Sequence, residues 1–319
     1  MFRYSRVLTW IPAALVIAAP SLACAGDLKI SLSPAYTSGD YGSSISTETY
    51  EVPLKVSYQE GPYKISIRIP YQAVTGPQTL VPSIGLVGSP SNGSRRGGDV
   101  VRVSNSGPGS ANSGPGSANS GPGSANSGSG SSSSVTTSTG AASTAVTSTN
   151  SRGTVRGLGD LGVAGSARVL GGQKGDRFKL ELGGGAKLPT GDRSAGLSTG
   201  QVGLSAQATG IIDLTSDLSL EITFGRFFRT DHSSGVVLRD YFYISTSLSY
   251  DITSKLTLGV SVDAQTAHVS QGTAILEAGL FVEYEIMRGT RIGANAFKGF
   301  TRDSSAFGGG LTISHKFSI

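Results

Sequence analysis

Apolar and polar residues alternate with a period of two along most of the chain, most clearly from Asp160 to Leu188. Leu161, Val163, Gly165, Ala167 and Val169 share one side of an extended backbone; Asp160, Gly162, Ala164, Ser166 and Arg168 share the other. Beyond Gly171–Asp176 the pattern resumes. Phe178, Leu180, Leu182, Gly184, Ala186 and Leu188 fall on one side, with Lys179, Glu181, Gly183, Gly185 and Lys187 opposite. This alternation predicts strands with one apolar and one polar face. Each is ten or more residues long. Ordinary strands average about five or six residues, whereas a tilted strand crossing a bilayer needs about 9–11. Length and alternation together predict an all-β fold, a transmembrane antiparallel up-and-down β-barrel.

Ten further segments carry the same period. They run from Leu28 to Tyr36, Tyr50 to Tyr58, Tyr63 to Ala73, Val202 to Leu214 and Leu218 to Phe228. The rest run from Phe242 to Tyr250, Leu256 to about His268, Leu276 to Ile286, Arg291 to Phe300 and Phe307 to Ile319. With the first pair they make twelve strands, an even number as bacterial outer-membrane barrels use. Connections after even-numbered strands are short, at Glu60–Pro62, Gly171–Asp176, Thr215–Asp217, Thr253–Lys255 and Met287–Thr290. Those after odd-numbered strands are generally longer. Short turns belong to the periplasm and long loops to the outside, which places both termini in the periplasm of a bacterial cell. Aromatics sort with height: Tyr58, Tyr63, Phe178, Tyr250, Tyr284 and Phe317 near the turns, Tyr36, Tyr71, Phe228, Phe242, Phe300 and Phe307 near the loops. Two such belts are expected at the two membrane interfaces.

One segment breaks the pattern. From Val74 to Gly153 no barrel period appears, and Ser-Gly-Pro-Gly-Ser-Ala-Asn occurs three times, starting at Ser106, Ser113 and Ser120. There is no aromatic residue between Tyr71 and Phe178 and no charge between Ser104 and Ser151. Such a composition buries too little apolar surface to offset its ordering entropy. Residues 74–153 are therefore expected to be a disordered extracellular loop inserted in the barrel, with an end-to-end distance of about 40 Å.

Composition sharpens this picture. Hydrophobic residues make up 37% and charged residues 15% of 319 residues, with 46 glycines. A barrel with a wet interior needs an apolar set on its outside only. Arg3 and Arg6, the apolar run Val7–Pro20 and the small-x-small site Ala23-Cys24-Ala25 read as a secretory signal peptide over 1–25, which leaves residues 26–319 as the barrel. Cleavage there removes the sole cysteine; the competing reading, lipidation of Cys24, lacks the large aliphatic residue expected three positions earlier. The formal charge of +5 falls to +3 without the leader, and its basic residues are scattered, which gives nucleic-acid binding no support.

The polar parity supplies the candidate site. Lys64, Arg68, Asp160, Arg168, Lys179, Glu181, Lys187, Glu221, Asp263, Glu277, Glu283 and Glu285 are all predicted to line the lumen. Two arrangements are open. They pair with one another in a filled interior, or the bases of strands three to five face the acids of strands seven to ten across a narrow aqueous pore. Arg226 and Lys298 disobey, falling on the apolar parity near the loop end. There a charge costs only about 0–1 kcal/mol, or a bulge re-aims it, or it meets outer-leaflet phosphates.

Other motifs are weaker. Gly157-Leu-Gly-Asp-Leu-Gly162 matches G-x-G-x-x-G, but a strand rather than a helix follows, so no cofactor is expected. His268-Val-Ser270 is similar to an element of outer-membrane phospholipase A, yet Val282 stands where that family has an orienting asparagine. Asp231-His232-Ser233 has no second motif. Three separated histidines give no metal constellation.

Gly157-Leu-Gly-Asp-Leu161, Lys187-Leu-Pro-Thr-Gly-Asp192, Leu197-Ser-Thr-Gly200 and Ile69-Pro-Tyr71 with Gly76-Pro77 resemble an outer-membrane channel family associated with meta-cleavage (MetA-pathway) phenol degradation. The resemblance implies a transporter of aromatic or other small hydrophobic compounds. The first expectation is thus a non-enzymatic outer-membrane channel for passive uptake. Its partners would be outer-membrane lipid and lipopolysaccharide, the barrel-assembly machinery and a small-molecule solute. A surface-display or adhesion barrel presenting the repeat, and a barrel hydrolase, are the alternatives.

Overall fold

The computed structural model describes residues 26–41, 46–77, 152–172, 176–192, 195–198, 200–229, 239–268 and 272–319. The expected signal peptide and the repeats lie outside the described residues. Among the described residues fourteen strand segments form one antiparallel sheet. They are β1 (Asp27–Leu32), β2 (Ala35–Gly39), β3 (Thr47–Glu60), β4 (Tyr63–Pro77), β5 (Arg152–Leu158), β6 (Leu161–Leu170) and β7 (Phe178–Leu188). The remainder are β8 (Gly203–Asp213), β9 (Leu218–Arg229), β10 (Tyr241–Asp251), β11 (Leu256–Gln265), β12 (Ile275–Met287), β13 (Thr290–Gly299) and β14 (Phe307–Ser318). β1 and β2 both lie between β3 and β14, and β5 and β6 take successive stretches of β4. The segments thus fill twelve positions, and the β1–β14 pairing closes the barrel.

The sequence pattern placed one strand at each of these two doubled positions, and the structure splits both. Pro34 has no N–H to give the ladder, so the first strand breaks at Ser33-Pro34; Ser33 N and the Pro34 carbonyl still bond to Pro53 and Leu311. The second break falls at Gly159-Asp160. It also shortens the loop expected over 74–153, because Val74–Pro77 and Arg152–Gly153 pair within β4 and β5. The turn between β8 and β9 and that between β10 and β11 are built alike. Thr215 Oγ1 accepts from the N–H groups of Asp217 and Leu218, and Thr253 Oγ1 from those of Lys255 and Leu256. Gly61 and Gly289, at positive φ of 55° and 80°, make two other turns.

Burial is inverted relative to a water-soluble fold. Among the described residues nine hydrophobic side chains are buried, while 39 large hydrophobic ones are exposed. The exposed set alternates along the strands, as in Ile65, Ile67, Ile69 and Tyr71 of β4 or Leu258, Val260 and Val262 of β11. The buried set on the opposite parity is mostly polar. A continuous apolar outer band on a sheet with no open edge is what a hydrocarbon surrounding requires. Aromatics group at its loop end, with Tyr36 4.8 Å from Tyr50 and 6.1 Å from Phe307. Among the described residues no bulge re-aims Arg226 or Lys298, and register shifts fall at Arg168/Leu170 and Glu285/Met287. Arg226 stays on the outer face, 3.1 Å from Asp240 and over the rings of Phe228 and Phe242. Its charge is answered locally.

The register predicts that Ile67→Arg, at mid-height on the outer face, costs about 2–4 kcal/mol in lipid. Denaturant unfolding from phospholipid vesicles measures it. Ser66→Arg, one residue along on the enclosed face, should cost less than half as much.

Candidate functional site

All twelve candidate residues lie on or beside strands with their side chains on the buried parity. Asp160, Glu181, Lys187, Glu221, Asp263, Glu277 and Glu283 are buried; Lys64, Arg68, Arg168, Lys179 and Glu285 are intermediate. The bases do not stand alone across a lumen from acids. Arg68 bonds Glu51, Arg168 Nε lies 3.5 Å from Glu181, Lys179 lies 3.6 Å from Asp213, and Lys187 bonds Asp160. Arg291 and Glu285 pair at 3.1 Å. Each pair joins neighbouring strands. Glu51, Asp213 and Arg291 were not among the residues singled out from the sequence. They occupy the same parity, but only the cross-strand register identifies them as partners.

The two Gly-rich motifs meet in space at the second strand break. Gly159 N bonds the Pro70 carbonyl at 2.9 Å, which turns the chain so that Asp160 points inward. Its carboxylate takes Lys187 Nζ through Oδ2 and Gly191 N through Oδ1 at 3.1 Å. Thr190 Oγ1 accepts from Leu161 N at 2.9 Å and donates to the Gly159 carbonyl at 3.3 Å. Leu197, 2% exposed, inserts beside Gly157, and its carbonyl accepts from Gln72 Nε2. Gly157–Leu161 and Lys187–Asp192 thus form one clasp that fastens a loop into the barrel mouth.

Aromatic rings on the enclosed face were not foreseen. Phe227, Tyr243, Phe281 and Phe297 lie against glycines of neighbouring strands, respectively Gly203, Gly225, Gly259 and Gly308. A Cβ at Gly203 would stand 2.0 Å from the Phe227 ring, so only glycine lets that ring lie so close to the wall. The signal was present as an aromatic on the polar parity with a glycine opposite it in the next strand (Tyr243, Phe281 and Phe297) or diagonal to it (Phe227). At the loop end Phe227 stacks on Tyr241 at 5.1 Å, and Tyr241 on His268 at 3.8 Å. Arg229 lies beside them, 5.6 Å from the Phe227 ring, and Tyr243 Oη donates to Gln207 at 2.8 Å. Loop residues complete the mouth: Tyr41 Oη donates to Ser305 Oγ, Ser305 N donates to Glu277, and Thr273 N donates to Asp303.

The phospholipase-like element does not assemble among the described residues. His268 bonds Gln265 through Nε2 at 2.8 Å and stacks on Tyr241, while Ser270 lies outside the described residues, as do Asp231, His232 and Ser233. The G-x-G-x-x-G match spans the strand break and opens no helix. No group of three His, Cys, Asp or Glu suited to a metal occurs among the described residues. An apolar groove of about 670 Å³ crosses β9–β13. Leu248, Leu258, Leu280 and Ala294 line it from the lipid face, so it belongs to the hydrocarbon side.

Two outcomes follow from this geometry. Asp160→Ala strands the buried Lys187 charge and should cost about 3–5 kcal/mol in denaturant unfolding, with most of it restored in Asp160→Leu/Lys187→Met. His268 is pushed down to about 3 by burial, with the Arg229 charge adding to it. Its released form titrates near 6.5. The stacked, neutral form is therefore favoured above that value and loses ground as pH falls toward 3. Channel fluctuations in planar bilayers should grow between pH 6.5 and 4, and His268→Gln should remove that change.

The comparisons agree with the architecture. No curated protein sequence matches the chain. Among solved structures, the COG4313 outer membrane channel from Pseudomonas putida F1 superposes with a TM-score of 0.58 at 11% identity, covering 92% of this chain and 96% of that one. The KdgM porin gives 0.48 at 9% identity, covering 91% and 99%. The model of one sequence family, described as "Putative MetA-pathway of phenol degradation", matches residues 102–317. That match spans about two thirds of the sequence, and the chain belongs to this family.

Proposed function

We propose that this protein is a non-enzymatic outer-membrane channel through which small molecules enter passively, with both termini in the periplasm. One observation carries the reading: a closed barrel encloses its charged side chains and turns its apolar ones outward. A water-lined path is the use to which such a lining is suited. The twelve candidate residues, from Lys64 and Arg68 to Glu283 and Glu285, would line that path. The inward rings of Phe227, Tyr243, Phe281 and Phe297 pack against glycines of the wall itself. The family's link to phenol degradation supports aromatic or other small hydrophobic compounds as the solutes. Outer-leaflet lipopolysaccharide is the expected neighbour of the exposed Lys298 and of the Arg226–Phe242 cluster, and the barrel-assembly machinery would insert the chain.

Planar-bilayer conductance and solute-resolved liposome swelling test this. The full-length processed chain should conduct, and a variant lacking residues 104–151 should retain permeability. A folded barrel with neither conductance nor flux refutes the proposal. Loss of surface binding in the deletion variant, with no conductance in either form, would support the adhesion reading instead.

A further inference from the structure

The cluster at the loop end holds more unmet polar capacity than a wall needs. Arg229, Tyr241, Gln265 and His268 are 6%, 0%, 3% and 3% exposed. They are contiguous: Tyr241 stacks on His268, His268 bonds Gln265, and Arg229 and Tyr241 both lie against Phe227. Each of the four also keeps one buried polar atom with no hydrogen-bond partner among the described residues: Arg229 Nη2, Tyr241 Oη, Gln265 Nε2 and His268 Nδ1. Leaving such an atom unmet costs about 1–3 kcal/mol, and more for a charged group. Neighbouring Tyr243 shows the ordinary solution, its hydroxyl bonded to Gln207.

The chemistry of these atoms is not random. Gln265 Oε1 accepts from His268 Nε2, which orients the amide so that its Nε2 is left as a donor. Arg229 donates through Nε to the Arg239 carbonyl at 3.1 Å, which leaves Nη2 free to donate elsewhere. Asp240 does not satisfy that nitrogen. One of its oxygens accepts from the Arg229 backbone N–H and the other from Arg226 on the outer face. Two donors, one of them cationic, and a hydroxyl therefore belong to one contiguous buried cluster beside a stack of rings. A buried guanidinium with spare donors calls for an anion, and ring walls call for a flat apolar body.

We propose that this cluster is a binding slot for a planar aromatic carboxylate, deepening the channel reading on which it rests. The carboxylate takes the donors of Arg229, Gln265 and Tyr241, and the ring takes the place over Tyr241 that His268 now fills. The imidazole, 3.8 Å from the Tyr241 ring and tilted by 21°, is a plane of similar thickness and serves as an internal stand-in. Its neutral state keeps a second positive charge away from Arg229. The slot sits at the loop end, where an incoming solute first meets the barrel wall.

The test is calorimetric titration of the full-length processed protein in detergent micelles with benzoate, benzyl alcohol and acetate. Benzoate should bind, with benzyl alcohol and acetate at least about tenfold weaker, since each lacks one of the two recognised features. Arg229→Gln should weaken benzoate by about tenfold or more. His268→Ala should tighten it, an effect that a merely structural histidine would not produce. If Arg229→Gln fails the heat-dependent gel shift that marks a folded barrel, Tyr241→Phe takes its place, keeping the ring and removing the hydroxyl. Equal binding of acetate and benzoate, equal binding of benzyl alcohol and benzoate, or benzoate binding unchanged by these substitutions overturns the slot. Conductance without benzoate binding sinks the slot and spares the channel; benzoate binding without conductance does the reverse.

Discussion

Backbone hydrogen bonding in a medium without water is the constraint from which the rest of this structure follows. Every N–H and C=O of a strand inside hydrocarbon needs a partner in the sheet, because an unmet group there costs several kcal/mol. A sheet satisfies this only when its first and last strands meet. Here β1 pairs with β14 from Asp27↔Ser318 to Leu32↔Ile313, and Gly26 and Ile319 exchange both of their backbone bonds. Lys316 adds a 2.8 Å bond to Asp27 across the same seam. Closure also fixes the inverted burial. Once the ring is complete, strand parity alone decides whether a side chain meets lipid or the interior.

The two places where the ladder cannot continue show how strongly that constraint acts. At Ser33-Pro34 proline removes a donor, yet flanking groups still find Pro53 and Leu311 on either side. At Gly159-Asp160 the regular ladder stops after the Gly159 N–H bond to Pro70, and side chains take over the rest of the pairing. Thr190 serves the Leu161 N–H and the Gly159 carbonyl, while Asp160 serves Gly191 and Lys187. The Gly157–Leu161 and Lys187–Asp192 motifs are thus accounted for as a repair to the wall. The same repair brings Leu197 inside and narrows the mouth, so a backbone need is converted into the shape of the entrance.

Parity, strand length and turn chemistry could be read from the sequence because they depend on residues adjacent in the chain. Thr215-Ser216-Asp217 and Thr253-Ser254-Lys255 each carry their turn in three letters. The alternation of Ile65, Ile67 and Ile69 fixes an outer face without reference to any other strand. What the sequence concealed depends on which residue stands opposite. The Asp213 partner of Lys179, the Glu51 partner of Arg68 and the glycine beneath each inward ring are set by register between strands. Strand breaks were hidden for a related reason. A single proline or an Asp160 at the end of a regular pattern does not disturb the period on either side, so two segments read as one.

Register also decides what kind of electric field the interior can hold. Ion pairs on the enclosed side join neighbouring parts of the wall, among them Arg68 with Glu51, Arg168 with Glu181, Lys179 with Asp213, Lys187 with Asp160, Arg291 with Glu285 and Lys316 with Asp27. Opposite charges so close form short dipoles along the wall, whose influence fades over distances comparable with their own separation. A field directed across the barrel from bases to acids is weakened accordingly. Like-signed residues also stand directly opposite each other on this face: Lys29 and Lys316 on β1 and β14, Lys55 and Arg68 on β3 and β4, and Asp263 and Glu277 on β11 and β12. Like charges in that position destabilise a sheet unless something else answers them. The Ser305 N–H does so for Glu277, and Tyr41 then anchors Ser305 from the other side of the β1–β14 seam. A repulsion inside the wall is thereby relieved by a loop, which ties the position of that loop to the charge beneath it.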